Sequence, residues 1–120
     1  QMGTRFVSSE ESPVHENFKG AIVNGSEQGT YILNKKSKPC IRALKTDLTD
    51  KIYEEGQMDM SALGGIKDLY FGGDMNAAPA LAGQSIGLIN KVMPVEEIIK
   101  QTMQEFNTVC DTLTNSKFEL

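Results

Sequence analysis

Apolar residues recur at helical spacing in the last third of the chain. They fall close to a period of 3.6 positions: Val95, Ile98, Ile99, Met103, Phe106, Val109 and Leu113. Pro94 stands just before them, and proline suits the start of a helix because the N–H that it lacks has no partner there. The pattern predicts that Pro94 opens the longest helix of the protein.

The first quarter of the chain predicts the end of a strand and then a helix. Residues 2–7 have the character of a strand end. Ser12 is a favoured N-cap residue, and Pro13 fits the first helical position. The apolar face of this helix comprises Val14, Phe18, Ala21 and Ile22. Gly25 is expected to end it.

Two short β-favouring runs follow, at residues 30–33 and 40–44, around a polar turn at 34–39. This arrangement predicts two paired antiparallel strands. Thr46 or Asp47 then caps a short helix.

The middle of the chain predicts two more helices. The apolar positions of the first are Leu63, Ile66, Leu69 and Tyr70. A Gly-Gly pair at 72–73 stops it. Asp74 or Asn76 is expected to cap the next helix, which runs through residues 79–90.

The charge balance argues against nucleic acid as the main partner. The chain has 12 Lys and Arg residues against 16 Asp and Glu residues, which gives a net charge of −4. Binding to a phosphate backbone requires a basic face. The one dense basic cluster is Lys35, Lys36 and Lys38, in the predicted turn, and we interpret it as a solvated loop.

Cysteine usage and hydropathy favour a reduced, cytoplasmic protein without a membrane span. Cys40 and Cys110 lie seventy positions apart, with no second ligand near either, so no metal site is predicted. No apolar run approaches the roughly 20 residues that a membrane-spanning helix needs. The start of the chain has no signal-peptide pattern. Because it begins at Gln1 with strand-like residues, we expect a piece of a longer protein.

Gly3 and Thr4 suit phosphate binding. Glycine lets backbone N–H groups approach an anion, and threonine adds a hydroxyl donor. In (β/α)8 barrels, phosphates bind at the carboxyl ends of the last strands. By itself, a Gly-Thr pair after a strand is more typical of a plain strand end, and only its context favours a phosphate site of this kind.

Several segments resemble the nitronate monooxygenase (2-nitropropane dioxygenase) family, which includes the flavin-dependent enoyl-ACP reductase II. Together they extend over nearly the whole chain. They are residues 1–7 (QMGTRFV), 10–15 (EESPVH), 18–19, 41–45 (IRALK), 73–74, 82–89 (AGQSIGLI) and 94–99 (PVEEII).

The resemblance implies an α/β fold, the C-terminal portion of an FMN-binding (β/α)8 TIM barrel. Residues 1–25 would be the last barrel strand and its helix, 26–73 an α+β lid with antiparallel strands, and 74–120 C-terminal helices packed on both. Other flavin contacts and the catalytic histidine lie upstream in the family. This chain alone is therefore expected to hold no catalytic residue and to be inactive.

The resemblance also implies site residues and partners. The cofactor-binding residues are Gln1, Met2, Gly3 and Thr4, through backbone groups on the FMN phosphate. Leu81 and Gln84 are placed towards the flavin or substrate; the alternative is that their segment serves helix packing and that Gln84 bonds a neighbouring backbone group. The partners are the upstream barrel portion and a small-molecule or acyl-thioester substrate. A homodimer, with a second copy of the chain as partner, is a further alternative.

Two chemistries remain open at this point. A nitronate monooxygenase oxidises an alkyl nitronate with O2, whereas an enoyl-ACP reductase passes hydride from NAD(P)H through FMN to a 2-enoyl thioester. A third alternative, from another class, is a non-enzymatic α+β binding module. For His15, the only histidine, we predict a surface or capping role.

Overall fold

The computed structural model describes residues 2–116. Its regular elements are α1 Thr4–Val7, α2 Glu16–Val23, β1 Thr30–Leu33, β2 Ile41–Leu44, α3 Asp47–Glu55, α4 Ile66–Tyr70 and α5 Val95–Asn115. Two 3₁₀ helices, Met60–Leu63 and Gln84–Leu88, complete the set. Helices and a small sheet thus make up an α/β arrangement, as predicted.

The predicted antiparallel pair is confirmed. Strands β1 and β2 pair from Thr30 opposite Leu44 to Leu33 opposite Ile41. The chain leaves β1 through Asn34, whose φ of 59° is left-handed, a region that asparagine tolerates better than most residues. Its side-chain N–H donates to the Pro39 carbonyl at 2.9 Å, and this bond links the two ends of the turn.

Helix α3 also begins where the sequence predicts. The Thr46 hydroxyl accepts from the Thr49 backbone N–H, while the Thr49 hydroxyl accepts from the Thr46 N–H, so two otherwise unpaired donors are satisfied. Gly56, in a left-handed conformation, ends the helix.

The strand predicted at residues 2–7 is wrong. Residues Thr4–Val7 form the single-turn helix α1, in which the Gly3 carbonyl accepts from the Phe6 and Val7 N–H groups at 2.9 and 3.1 Å. The sheet in the described part of the chain consists of β1 and β2 alone. The carbonyl groups at this turn thus accept from N–H groups within the same few residues.

The predicted helix start at Ser12-Pro13 is also wrong. The His15 N–H donates to the Tyr70 carbonyl, which holds His15 extended, and α2 begins one residue later. The His15 Nδ1 accepts from the Asn17 N–H at 3.1 Å, so the predicted capping role of the histidine is confirmed.

The helix predicted from residue 74 or 76 to about 90 is wrong as well. Residues 80–82 are extended beside β2: the Leu44 N–H donates to the Ala80 carbonyl at 2.8 Å, and the Ala82 N–H donates to the Arg42 carbonyl at 3.3 Å. The 3₁₀ helix Gln84–Leu88 follows. The hydrogen bonds with β2 outweigh the local preference of residues 80–82 for a helix. The local pattern could not predict these bonds, because their partners lie about forty positions earlier in the chain.

Two apolar cores hold these elements together. The first joins α2, β2, α4 and the segment 78–89 and comprises Phe18, Ile22, Leu44, Leu69, Ala78, Ala80, Ala82, Ile86 and Ile89. The second lies between the hairpin and α3 and comprises Leu33, Ala43, Ile52 and Met58. The hairpin is thereby fixed to the segment that continues towards α5.

Helix α5 starts at Val95, directly after Pro94, as predicted. Its cap comes from elsewhere, because both carboxylate oxygens of Glu11 accept from the Val95 N–H. Ile98 is buried and Val95 is half-buried, but the other apolar residues of this face are exposed by 51–65%: Ile99, Met103, Phe106, Val109 and Leu113. Within residues 2–116, no helix is both long and apolar enough to cross a membrane.

Candidate functional site

A cavity of about 840 Å³ lies between the start of the chain, the segment after Gly83 and the first turns of α5. It is lined by Met2, Gly3, Thr4, Arg5, Gly83, Ser85, Leu88, Ile89, Asn90, Lys91, Met93, Ile98, Gln101, Thr102 and Glu105. Its volume is within the range of about 300–1,000 Å³ that is typical of small-molecule sites. The structure therefore places three of the predicted cofactor residues in one cavity.

Thr4 joins two walls of this cavity. Its hydroxyl oxygen accepts from the Gly83 N–H at 2.9 Å. A Cβ on Gly83 would lie 3.4 Å from that oxygen, which is an ordinary van der Waals contact, so this hydrogen bond does not itself require glycine at position 83. Since a hydroxyl can accept and donate together, the Thr4 proton stays available to a ligand oxygen.

Gly3 presents open backbone at the cavity. A Cβ built on it meets no atom within 4 Å. Its carbonyl is used by α1, but no hydrogen bond between described residues uses its N–H. The N–H groups of the first helical turn also lack partners inside the helix. The Gly3 N–H and the N–H groups of the first turn of α1 are therefore available to hydrogen-bond an anion at this end of the cavity.

Arg5 adds the positive charge, and our sequence reasoning missed it as a site residue. Its guanidinium donates to the Lys91 carbonyl at 2.7 Å and contacts the Met93 sulfur. Partial burial lowers the pKa of Arg5, yet a guanidinium stays protonated in proteins. Its position in the sequence, directly after Gly3 and Thr4, could have identified Arg5 as a residue of the phosphate site.

Leu81 and Gln84, predicted to face the flavin or substrate, lie outside the lining of this cavity. Leu81 pairs with Ala43 in an isolated antiparallel bridge, and its side chain is 40% exposed. Gln84 is exposed at the start of its 3₁₀ helix. Their contact with a ligand stays a prediction. Gln1, also predicted to bind cofactor, lies outside the described residues.

His15 lies away from the cavity, against Gly73. A Cβ on Gly73 would stand no more than 2.6 Å from three atoms of the imidazole ring. The Asn17 side chain donates to the Gly73 carbonyl at 2.8 Å. These contacts give His15 a packing role beside its capping role. Among residues 2–116, no three His, Cys, Asp or Glu side chains cluster as metal ligands would.

The donors at this cavity fit a phosphate group. Backbone N–H groups, a hydroxyl and a guanidinium are the groups that bind phosphate oxygens in proteins. Met2, Leu88 and Ile89 add apolar surface beside them. The fold and the site thus define an α/β protein with a cavity suited to a phosphate-bearing ligand.

The nitronate monooxygenase family model matches residues 1–105. The chain belongs to this family. A search of curated proteins finds no match.

Two solved structures resemble the chain closely. FabK from Thermotoga maritima superposes with a TM-score of 0.86 at 34% identity, and its M276A mutant with a TM-score of 0.81 at 35% identity. Each match covers 95% of this chain but only 38% and 36% of the FabK chains, respectively. The chain thus spans little more than a third of the length of these relatives. The family and its relatives are flavin-dependent oxidoreductases, which implies FMN.

Proposed function

We propose that the full-length protein is an FMN-dependent enoyl-ACP reductase, which reduces 2-enoyl thioesters with NAD(P)H in the cytoplasm. The observation that carries this proposal is the likeness to FabK, at 34–35% identity over 95% of the chain. FabK is the enoyl-ACP reductase II.

Within that reaction, this chain would bind one end of the cofactor. When bound, FMN supplies hydride transfer between nicotinamide and substrate. Gly3 and Thr4 would hold its phosphate through N–H groups and the Thr4 hydroxyl, with Met2 and, by the resemblance, Gln1 beside them. Arg5, tied to the Lys91 carbonyl, would offset the phosphate charge from a fixed position.

The exposed face of α5 supports an upstream barrel portion as the covalently linked partner. Phe106 and Leu113 are exposed by 60% and 65%, and exposed apolar patches of this kind mark interaction surfaces. The start of α5 also lines the cavity beside Met2 and Gly3. A barrel joined to the beginning of the chain would lie next to this helix and cover its apolar face.

A second candidate is the oxidation of alkyl nitronates with O2. The observation in its favour is the family match over residues 1–105. This reaction would use the same phosphate-binding residues and needs no nicotinamide.

One comparison on the purified full-length protein separates the two reactions. We expect oxidation of NADH or NADPH that depends on a crotonyl thioester, and no oxygen uptake with propionate 3-nitronate. Oxygen uptake with the nitronate, without thioester-dependent oxidation of NAD(P)H, would instead establish the second candidate. Enzyme stripped of flavin is the control in both assays.

A further inference from the structure

The hairpin concentrates positive charge in an acidic chain. Residues 30–45 contain five of the 12 Lys and Arg residues and none of the 16 Asp and Glu residues. These five are Lys35, Lys36, Lys38, Arg42 and Lys45. Lys35, Lys36 and Lys38 form what we call the basic turn, and every residue from 35 to 40 is exposed.

No cation of the hairpin forms an ion pair within 4.0 Å with a carboxylate of residues 2–116. The ion pair found within residues 2–116 joins Lys100 to Glu96, on α5. Helix α3 carries Asp47, Asp50, Glu54 and Glu55, yet none of them lies within 4.0 Å of a hairpin cation. The three lysines of the basic turn are exposed and form no ion pair with the described residues.

Aromatic rings, rather than carboxylates, support two of the lysines. The rings of Tyr31 and Tyr53 stack with centroids 4.3 Å apart. The Lys35 Nζ lies 5.2 Å from the Tyr53 centroid, and the Lys45 Nζ lies 4.7 Å from that of Tyr31. A cation–π contact orients an ammonium group without cancelling its charge.

The basic turn also has a defined backbone and an apolar border. Asn34 is buried and ties the turn to the Pro39 carbonyl and, through its other side-chain atom, to the Met58 N–H. Beside it lies a cavity of about 260 Å³, whose lining includes Ile32, Lys35, Lys36 and Tyr53. Ile32 and Tyr53 are 37% and 45% exposed.

From this surface we infer that the basic turn docks an acidic protein, the carrier that presents the enoyl thioester; this inference rests on the proposed function. Complementary charge steers such an encounter, and exposed apolar side chains at its centre provide contact area. The carboxylates of α3 and the net charge of −4 disfavour an extended polyanion such as nucleic acid. A compact partner with a carboxylate-rich face fits the surface better.

The test measures binding of holo acyl carrier protein to the full-length enzyme by calorimetry, separately from activity. The test variant is Lys36→Glu with Lys38→Glu, which keeps the cation–π contact between Lys35 and Tyr53. The matched control is Lys67→Glu with Lys100→Glu, which changes the charge equally at exposed sites on α4 and α5. We expect about tenfold weaker binding for the first variant and no change for the second, with an effect that shrinks as salt is added.

Activity is assayed with crotonyl carrier protein and with the uncharged crotonyl N-acetylcysteamine thioester. The first variant should raise the KM for the carrier substrate alone. Equal binding by wild type and both variants, no binding by wild type, or binding of duplex DNA in place of the carrier would overturn the docking inference. Carrier binding that depends on Lys36 and Lys38, without reduction of either thioester, would support docking while rejecting the proposed reaction.

Discussion

The hydroxyl oxygen of Thr4 accepts a hydrogen bond from the Gly83 N–H at 2.9 Å, across 79 positions of sequence. This bond joins the two walls of the candidate flavin cavity. We expect Thr4→Val in the full-length protein to lower the free energy of unfolding by about 1 kcal/mol, because the Gly83 N–H loses its acceptor. The flavin content should also fall. Thr4→Ser keeps the hydroxyl and should restore both the urea midpoint and the flavin absorbance. Equal loss in both variants would show that the methyl group matters instead.

Gly3→Val tests the close approach of a phosphate to the backbone. Apart from Gly3 and its two chain neighbours, no atom of residues 2–116 lies within 4 Å of a Cβ at Gly3, so the added side chain should leave the stability of the flavin-free protein unchanged. FMN affinity should drop about tenfold or more, equivalent to at least about 1.4 kcal/mol. Gly20→Val is the control, because its Cβ would also meet no atom within 4 Å. Unchanged FMN affinity in Gly3→Val would remove Gly3 from the site.

Gly73 should tolerate a side chain less well than Gly56. Both glycines have left-handed φ angles, 74° and 76°, which cost an L-residue roughly 1–2 kcal/mol. A Cβ on Gly56 meets nothing within 4 Å, whereas one on Gly73 collides with the His15 ring. Gly73→Ala should therefore lower the free energy of unfolding clearly more than Gly56→Ala. Urea denaturation of both variants measures the difference, and equal losses would show that the imidazole simply moves aside.

Glu11 stabilises the start of α5 from another part of the chain. Its two carboxylate oxygens lie 3.1 and 2.9 Å from the Val95 nitrogen, next to the positive end of the helix dipole. Glu11→Ala should cost about 1 kcal/mol, the usual magnitude for a lost N-terminal cap. Glu10→Ala removes a neighbouring carboxylate that makes no such contact and serves as the control. The cap has no energetic role if the two variants unfold at the same urea concentration.

Gln84 and Leu81 can be tested together for a role on the substrate side. Both are exposed in the described chain and lie outside the cavity lining. If they face the substrate, Gln84→Ala and Leu81→Ala should raise KM in the full-length enzyme while leaving flavin content unchanged. Changes in kcat and KM that stay within about twofold, or about 0.4 kcal/mol, would withdraw both residues from the site.

The elements that the sequence predicted correctly depend on neighbours close along the chain. The hairpin, the Thr46 cap of α3 and the start of α5 at Pro94 are of this kind. Each is encoded by a cap, a turn or an apolar period within about twenty consecutive residues, because turn and cap hydrogen bonds join near neighbours.

Tertiary structure decided the elements whose hydrogen bonds reach across the chain. The His15 N–H donates to the Tyr70 carbonyl, and this bond moves the start of α2 beyond Ser12-Pro13. The pairing of residues 80–82 with β2 replaces a predicted helix. Local propensity amounts to a few tenths of a kcal/mol per residue, which a few sheet hydrogen bonds and buried alanines outweigh.

The candidate site shows the same division. The resemblance to the flavin family pointed to Met2, Gly3 and Thr4 through a short motif. The sequence could not indicate that Gly83 would bind the Thr4 hydroxyl or that Arg5 would reach the Lys91 carbonyl, since both contacts span about eighty positions. Residue types and local order thus came from the sequence. The cavity came from packing, because only folding brings the start of the chain against the beginning of α5.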